Sequence, residues 1–453
     1  MVRRKQCAMP HQLTAPLQSG ARPRYTLALL TALAALAFMD RQILAVLIQP
    51  VKAEFLLSDL QIGLITGLGF SLTFAVLGIP LGRLADRGER RGLVVWCRGL
   101  GGVLGAAGAA ATGFWTLLFS RAGGAISDAG GGPASMAMLA DLYPASQRSR
   151  VMSVFGTGGS IGALMAMVLG GWLAQHYGWR WAMGLVGLSV LVLALLLRFT
   201  VREPLRALAQ ATAPHSAIYQ DAPRGAVREI WGNPVTRWLI IGAACALLAG
   251  YSFGSWNTAL LVRRHGLSLQ NAGWISGSAA LVSVFGGLWS GALTDRLTRV
   301  DKRWQQGVPL IGLGIALPCG LAYLMLPAGA VVPAACLVVA YAFFIVWWVA
   351  PTYAALSLVV PASRRATASA MVLLAGAIVG NGFGPIFTGW LSDLLSVTMP
   401  SDGLRYALVC MVAMLAPAMY AFARVLPAYP AAYAAVHSQH PEFSSSVVES
   451  AST

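Results

Sequence analysis

Gly78-Ile79-Pro80-Leu81-Gly82-Arg83-Leu84-Ala85-Asp86-Arg87 closes one long apolar stretch. Gly287-Leu288-Trp289-Ser290-Gly291-Ala292-Leu293-Thr294-Asp295-Arg296 closes another, 209 residues later. Five of the ten positions are identical: both glycines, the leucine, the aspartate and the arginine. Two further landmarks recur in the same order. Pro144-Ala145-Ser146-Gln147-Arg148 is answered 217 residues on by Pro361-Ala362-Ser363-Arg364-Arg365, and Gly171-Trp172-Leu173 is answered 218 residues on by Gly389-Trp390-Leu391. Apolar helices resemble one another by composition, but chance does not keep loop charges in register. The chain therefore reads as two parallel repeats, an arrangement that places a binding site between the halves near the membrane midplane.

Of the 453 residues, 57% are hydrophobic and only 11% charged, where a soluble globular chain carries about a quarter of its residues charged. The apolar runs are long enough to be membrane helices, and the short alternating strands of a membrane β-barrel are absent. Spans are predicted near 25–49, 60–82, 92–112, 114–141, 149–175 and 180–199, and again near 237–263, 271–294, 306–327, 331–359, 366–392 and 404–426. The expected fold is an all-α polytopic membrane protein of twelve transmembrane helices in two pseudo-symmetric six-helix bundles. Residues 1–24 form an N-terminal extension, 25–199 and 237–426 the two bundles, and 200–236 a polar linker with scattered prolines. The Ser-rich tail, 427–453, has the composition of a disordered segment.

The net charge of +16 would suit nucleic acid, but its distribution excludes that reading. With the N-terminus inside, 24 of the 32 Lys and Arg fall on the cytoplasmic side and 5 outside, while Arg41, Arg98 and Arg121 lie within spans. That asymmetry is the positive-inside rule; it places both termini in the cytoplasm, and a bacterial inner membrane is the expected location. Pro10 to Arg24 is polar, so no apolar signal core follows the N-terminal basic residues. The six cysteines show no ligand spacing, and all six histidines fall in loops, termini or span ends. Gly158-Gly159-Ser160 has neither the strand nor the lysine of a phosphate loop. No metal, no cofactor and no catalytic triad are expected, and an enzyme is not the favoured class.

Phe38-Met39-Asp40-Arg41-Gln42 sets a charged pair inside the first span. At about 1.5 Å per residue Asp40 stands roughly 20 Å into the helix, deep in an apolar layer where an ionisable group is a functional candidate by default. In span 4, Arg121 and Asp128 lie two helical turns apart on one face, so each of these two helices supplies one acid and one base. Such a set suits a proton or substrate switch, in which protonating Asp40 or Asp128 frees a partner arginine; a static ion pair between helices is the alternative. Gly123, Gly124 and Gly130 to Gly132, with Pro133, break the helix around Asp128. The interiors of spans 7 to 12 carry no ionisable acid, base or histidine. Their polar candidates for a substrate cavity are Tyr251, Ser252, Trp256, Asn257, Tyr341, Tyr353 and Asn381, against the ordinary use of Tyr and Trp as interfacial anchors and of Asn as a helix–helix tie. Asp86, Arg87, Arg90 and Arg91, with Asp141, read as a cytoplasmic charge network able to close one face, and Asp295 and Arg296 as its counterpart.

The Gly-x-Leu-Ala-Asp-Arg run at Gly82 to Arg87, with Arg90 and Arg91, resembles the loop motif between helices 2 and 3 of the major facilitator superfamily. Glu89 stands where that family usually has Gly. A narrower resemblance to the spinster-like branch rests on Met39-Asp40-Arg41-Gln42-Ile43-Leu44, Pro50-Val51-Lys52-Ala53-Glu54, Leu57-Ser58-Asp59-Leu60-Gln61-Ile62-Gly63 and Gly78-Ile79-Pro80. Members of that branch move lysophospholipids, sphingoid lipids or related amphiphiles. The resemblance implies that Asp40, Arg41, Arg121 and an acid on helix 4, here Asp128 where the branch usually has Glu, line the cavity. The expected function is proton-coupled secondary transport of an amphipathic or lipid-like organic substrate by alternating access, in a monomer whose partners are substrate, protons and membrane lipids. A facilitator or exporter of small organic or aromatic anions, using Arg41 and Arg121 without proton coupling, is the alternative. A receptor or scaffold on a transporter fold would have no use for the intramembrane charge set.

Overall fold

The computed structural model describes residues 22–87, 89–203, 225–361 and 364–438. The first half contains span 1 (Pro23–Phe55), span 2 (59–87), span 3 (Arg90–Ala110), span 4 (114–142), span 5 (Ala145–Tyr177) and span 6 (Trp179–Thr200). The second contains span 7 (Pro234–His265), span 8 (Leu269–Leu297), span 9 (Trp304–Met325), span 10 (Val331–Leu358), span 11 (365–396) and span 12 (Gly403–Val425). Eleven helices are long and apolar enough by themselves to cross a membrane. The twelfth crossing is span 4, which the structure divides at Ala125 into Phe114–Gly124 and Ile126–Leu142. The division falls where the sequence places Gly123 and Gly124, and it separates Arg121 from Asp128.

Three local departures from regular helix shape the bundle. Span 1 turns into span 2 through Leu56, whose φ of 52° is left-handed, a conformation usually left to glycine. Ser58 then starts span 2 with a reciprocal capping box: its hydroxyl accepts from the Gln61 backbone N–H, and the Gln61 side chain accepts from the Ser58 N–H. Wide π-turns interrupt span 2 over Leu64–Leu68 and span 11 over Gly376–Phe383, and the two segments face each other across the junction of the halves.

The halves meet closely only at the end away from the chain termini. There Gly67 of span 2 lies against the Gly382 carbonyl of span 11, and Gly273 of span 8 against the Met167 carbonyl of span 5, leaving no room for a Cβ. One buried apolar cluster, including Ile43, Leu47, Ile62, Leu260 and Phe253, runs across both halves at that end. Toward the termini the halves part. Leu72 and Val76 of span 2 are 58% and 60% exposed, as are Leu373 and Leu374 of span 11 at 64% and 54%. The first half has its own cluster there, built on Leu30, Leu33, Val94, Met138 and Leu197.

The chain does not end its structure with span 12. A helix over Tyr429–Ser438 follows, with Tyr429 fully buried and Lys302 of the 8–9 loop 5.2 Å from the Tyr433 ring. The first part of the tail expected to be disordered is thus helical, because two aromatic rings give it a face to bury. A second short helix, Ala226–Gly232, stands in the linker before span 7 and pairs Glu229 with Arg364 at 2.9 Å. Residues 1–21, 204–224 and 439–453 lie outside the described residues.

Candidate functional site

The four charged residues expected from spans 1 and 4 come together, and they pair crosswise between the two helices. Asp40 and Arg121 are each 5% exposed. One terminal nitrogen of Arg121 donates to Asp40 Oδ1 at 3.4 Å; the other donates to the Asp40 carbonyl at 2.7 Å and the Arg41 carbonyl at 3.4 Å. The Asp40 carboxylate occupies the space that a side chain at Gly105 would need and touches Gly124, so the glycines of spans 3 and 4 are what let an acid sit between three helices. Arg41 lies 3.9 Å from Asp128 Oδ2, with its guanidinium over the Phe38 and Phe70 rings at 5.1 and 4.4 Å.

A fifth member went unassigned in the sequence. Arg98 of span 3 is 3% exposed and donates to Asp128 Oδ1 at 2.9 Å and to Ser127 Oγ at 3.2 Å. Its place within an apolar span was the available signal, but its partner lies on another helix. With Arg98 included, three arginines face two aspartates, so the balance of one acid and one base per helix is replaced by an excess positive charge. Buried charges of this kind persist only where geometry pairs them.

Beside this cluster lies a cavity of about 450 Å³, walled mainly by apolar side chains of spans 1, 5, 7, 8 and 10. Tyr251, Asn257 and Tyr341 line it, with Phe38 and Gln42 from span 1. Asn257 is held in one orientation: the Tyr323 hydroxyl donates to its Oδ1 at 2.8 Å, and its amide donates to Ser276 Oγ at 3.3 Å. Asn381 lines a smaller neighbouring niche with Arg41, Gln42, Thr66, Arg121 and Ser255, and its amide donates to Ser71 Oγ at 3.2 Å. Three expected cavity residues are elsewhere. Trp256 is fully buried and donates from its ring nitrogen to the Pro385 carbonyl at 3.1 Å, bracing span 7 against span 11. Tyr353 is half-buried on span 10 and lines neither space, and the hydroxyl of Ser252 is buried without a partner.

The charge network at the termini end is present but internal to the first half. Arg90 pairs with Asp141 and donates to the Ala137 carbonyl at 3.0 Å. Glu203, just past span 6, accepts from the backbone N–H groups of Arg90 and Arg91 at 2.9 and 2.7 Å, capping the start of span 3. Burial pushes the Glu203 carboxyl above its ordinary value, opposed by those two backbone N–H groups. Arg91 also pairs with Glu89 at 2.9 Å. Asp295 and Arg296 are exposed, with no ion pair among the described residues. The side chains of Asp86 and Arg87 lie outside the described ones. No described ion pair joins the halves at this end, because the helices that carry the charges have separated.

The bridge between the halves is at the opposite end, and none of its members was singled out for it. Asp59 at the start of span 2 is 2% exposed. It accepts from both terminal nitrogens of Arg263 on span 7 at 2.8 Å each, from Ser392 of span 11 at 2.6 Å, and from Lys52 of span 1. Asp393 reciprocates by accepting from the backbone N–H groups of Asp59 and Leu60 at 2.9 and 2.8 Å. Lys52 and Asp59 stood in the quoted motifs, but Arg263 and Asp393 are more than 200 residues away, and nothing local marks them as partners.

Two six-helix halves clasped at one end, with a cavity between them and buried charges in the first half beside it, define a membrane transporter. The sequence profile of the Major Facilitator Superfamily matches residues 30–381, and the chain belongs to that family. Its spinster-like character is equally evident. A bacterial homolog of the human lysosomal transporter Spinster, solved inward-facing and unoccupied, superposes with a TM-score of 0.79 at 27% identity, covering 90% of this chain and 98% of that one. Among curated relatives, an MFS-type efflux pump of Mycolicibacterium smegmatis is 33% identical over 382 residues, 83% of this chain and 86% of the pump. Human protein spinster homolog 1 is 26% identical over 412 residues, 85% of this chain and 76% of that protein.

Proposed function

We propose that the chain is a secondary active transporter that moves an amphipathic or lipid-like organic substrate by alternating access, coupled to protons. The carrying observation is the juxtaposition of a mostly apolar cavity of about 450 Å³, walled chiefly by the second half, with a buried charge cluster belonging wholly to the first. An apolar body fits the former and a charged head the latter. With both termini cytoplasmic in a bacterial inner membrane, the clasped end is the outer one and the cavity opens inward, as in the spinster homolog described above. Tyr251, Asn257 and Tyr341 contact the substrate, and Asp40, Arg41, Arg121 and Asp128 form the coupling set. Lys52, Asp59, Arg263 and Asp393 are the outer gate. Arg90, Arg91 and Asp141, with Asp86, Arg87, Asp295 and Arg296, supply the charges that meet when the inner side closes. The working unit is the monomer.

Purified protein in liposomes under an imposed pH gradient, assayed for lysolipid and for organic-anion movement, tests this reading together with Asp40→Asn. Gradient-dependent lysolipid movement lost in the variant supports it; transport with unchanged pH dependence in Asp40→Asn removes Asp40 from coupling. A second reading has its own observation. The niche between Arg41 and Arg121 is lined by Gln42, Thr66, Ser255 and Asn381 and by no acid, which suits a small organic or aromatic anion carried without protons. Anion movement independent of the gradient would favour it.

A further inference from the structure

The two acids of the central cluster are held unequally. Asp128 has Arg98 at 2.9 Å on one oxygen and Arg41 at 3.9 Å on the other. Arg98 is buried, and Asp128 and Ser127 are its only hydrogen-bond partners among the described residues. Neutralising Asp128 would strand a buried guanidinium without a counter-charge, the costliest way to break such a pair. Asp40 differs. Its carboxylate receives a single long contact of 3.4 Å from Arg121, whose stronger bond, at 2.7 Å, goes to the Asp40 backbone carbonyl. If Asp40 gains a proton, Arg121 keeps both carbonyl partners and remains placed.

We propose that Arg98 is a positioning residue that keeps Asp128 ionised throughout the cycle, leaving Asp40 as the one acid of the cluster that exchanges a proton. The step is balanced simply: one proton passes from water to an Asp40 carboxylate oxygen and returns to water later, with no other bond changed. The proposal rests on the proton-coupled reading and deepens it. No competing group stands at this depth among the described residues. Span 2 carries Asp59 at one end and Arg83, Asp86 and Arg87 near the other, span 5 has Arg148, Arg150 and His176 at its ends, and span 6 has Arg180 and Arg198 at its ends. Span 3 presents Cys97 beside Arg98, and span 7 presents Tyr251 to the cavity. Neither is a carboxylic acid, so neither contributes to a carboxyl signal.

The test is infrared difference spectroscopy of the full chain in lipid vesicles. It reads the protonated-carboxyl stretch between about pH 5.5 and 8, above the range in which exposed carboxylates titrate. A Glu203→Gln background silences the half-buried carboxyl beyond span 6. One band appearing on acidification, lost in Asp40→Asn and kept in Asp128→Asn, is the expected result. Arg98→Met should roughly double the band as Asp128 begins to titrate, and Arg98→Lys should return it to single intensity, a rescue that a merely structural role would not produce. A band lost in Asp128→Asn instead, no band at all, or a band indifferent to Arg98→Met overturns the assignment. Transport in the same vesicles judges coupling separately: a wild-type Asp40 band with substrate movement blind to the pH gradient sinks coupling and leaves the assignment standing.

Discussion

Arg263 on span 7 grips Asp59 on span 2 with both terminal nitrogens, each 2.8 Å from a different carboxylate oxygen. This fork joins the two halves through a buried carboxylate, 2% exposed, and an arginine that keeps 23% exposure, so breaking it costs on the order of 1–3 kcal/mol, the range of a charge-assisted hydrogen bond. Asp59→Asn should therefore shift the population toward the arrangement open at that end. A Ser255→Cys reporter beside Arg41 and Arg121 should then react with a membrane-impermeant thiol reagent added outside, and should be protected when Asp59 is intact. Equal labelling in both backgrounds would remove the clasp from gating.

Trp256 is expected to matter for stability rather than for substrate. Trp256→Phe removes the ring N–H donation to the Pro385 carbonyl, which keeps its bond within the span 11 helix, a loss of about 0.5–1.5 kcal/mol. The melting temperature in detergent should fall while the apparent substrate affinity stays near wild type. Asn257→Ala should weaken apparent substrate affinity, because Asn257 lines the cavity, and should also lower the melting temperature, because the buried Tyr323 hydroxyl loses its acceptor.

Leu56 holds a left-handed turn with its side chain 89% exposed. Leu56→Gly relieves the backbone at little loss of packing, partly offset by a freer unfolded chain, so a gain of up to about 1 kcal/mol is expected. Thermal unfolding of the two proteins side by side decides it; a lower melting temperature in the variant would show that the leucine contributes contacts worth more than the strain.

Glu203 sets a pH dependence with a definite sign. Its folded value is raised above the ordinary glutamate value of 4.5 because burial outweighs the two backbone donors. A raised folded value means that the folded state binds the proton more tightly. The stabilisation is complete below the ordinary value and is lost as pH climbs through the raised one. Stability against denaturation should decline over that interval in the wild type, and the decline should flatten in Glu203→Gln. A slope of the opposite sign would mean that the N–H groups of Arg90 and Arg91 dominate.

Where the sequence was readable, the signal was local or periodic. Asp40 and Arg121 stand out because a charge inside an apolar run costs too much to be accidental, and the two-fold repeat exposed the halves without any structure. The break in span 4 falls beside Gly123 and Gly124, while Gly130 to Gly132 and Pro133, also expected to break it, lie inside the continuous helix Ile126–Leu142. What could not be read was who faces whom. Arg98 was plainly intramembrane, but its partner Asp128 is 30 positions away on another helix. Asp59 and Arg263, separated by 204, stand on spans 2 and 7 of different halves and meet only in the folded bundle. Asp141 and Arg90 pair within the first half, and whether such charges bridge the halves depends on which end is open, a property of a conformation and not of a composition.

The paired π-turns carry a consequence of their own. Each wide turn accommodates its segment with a longer hydrogen-bonded loop than an ordinary helix uses. Reverting the one in span 2 to ordinary pitch would slip the register by one position and swing everything past Leu68 by about 100°. The first residues swept are Phe70, whose ring lies beneath Arg41, and Ser71, which is bonded to Asn381. A register slip in span 2 would therefore carry the cushion of Arg41 away while the Asp59 end, held by Arg263 and Asp393, stays moored.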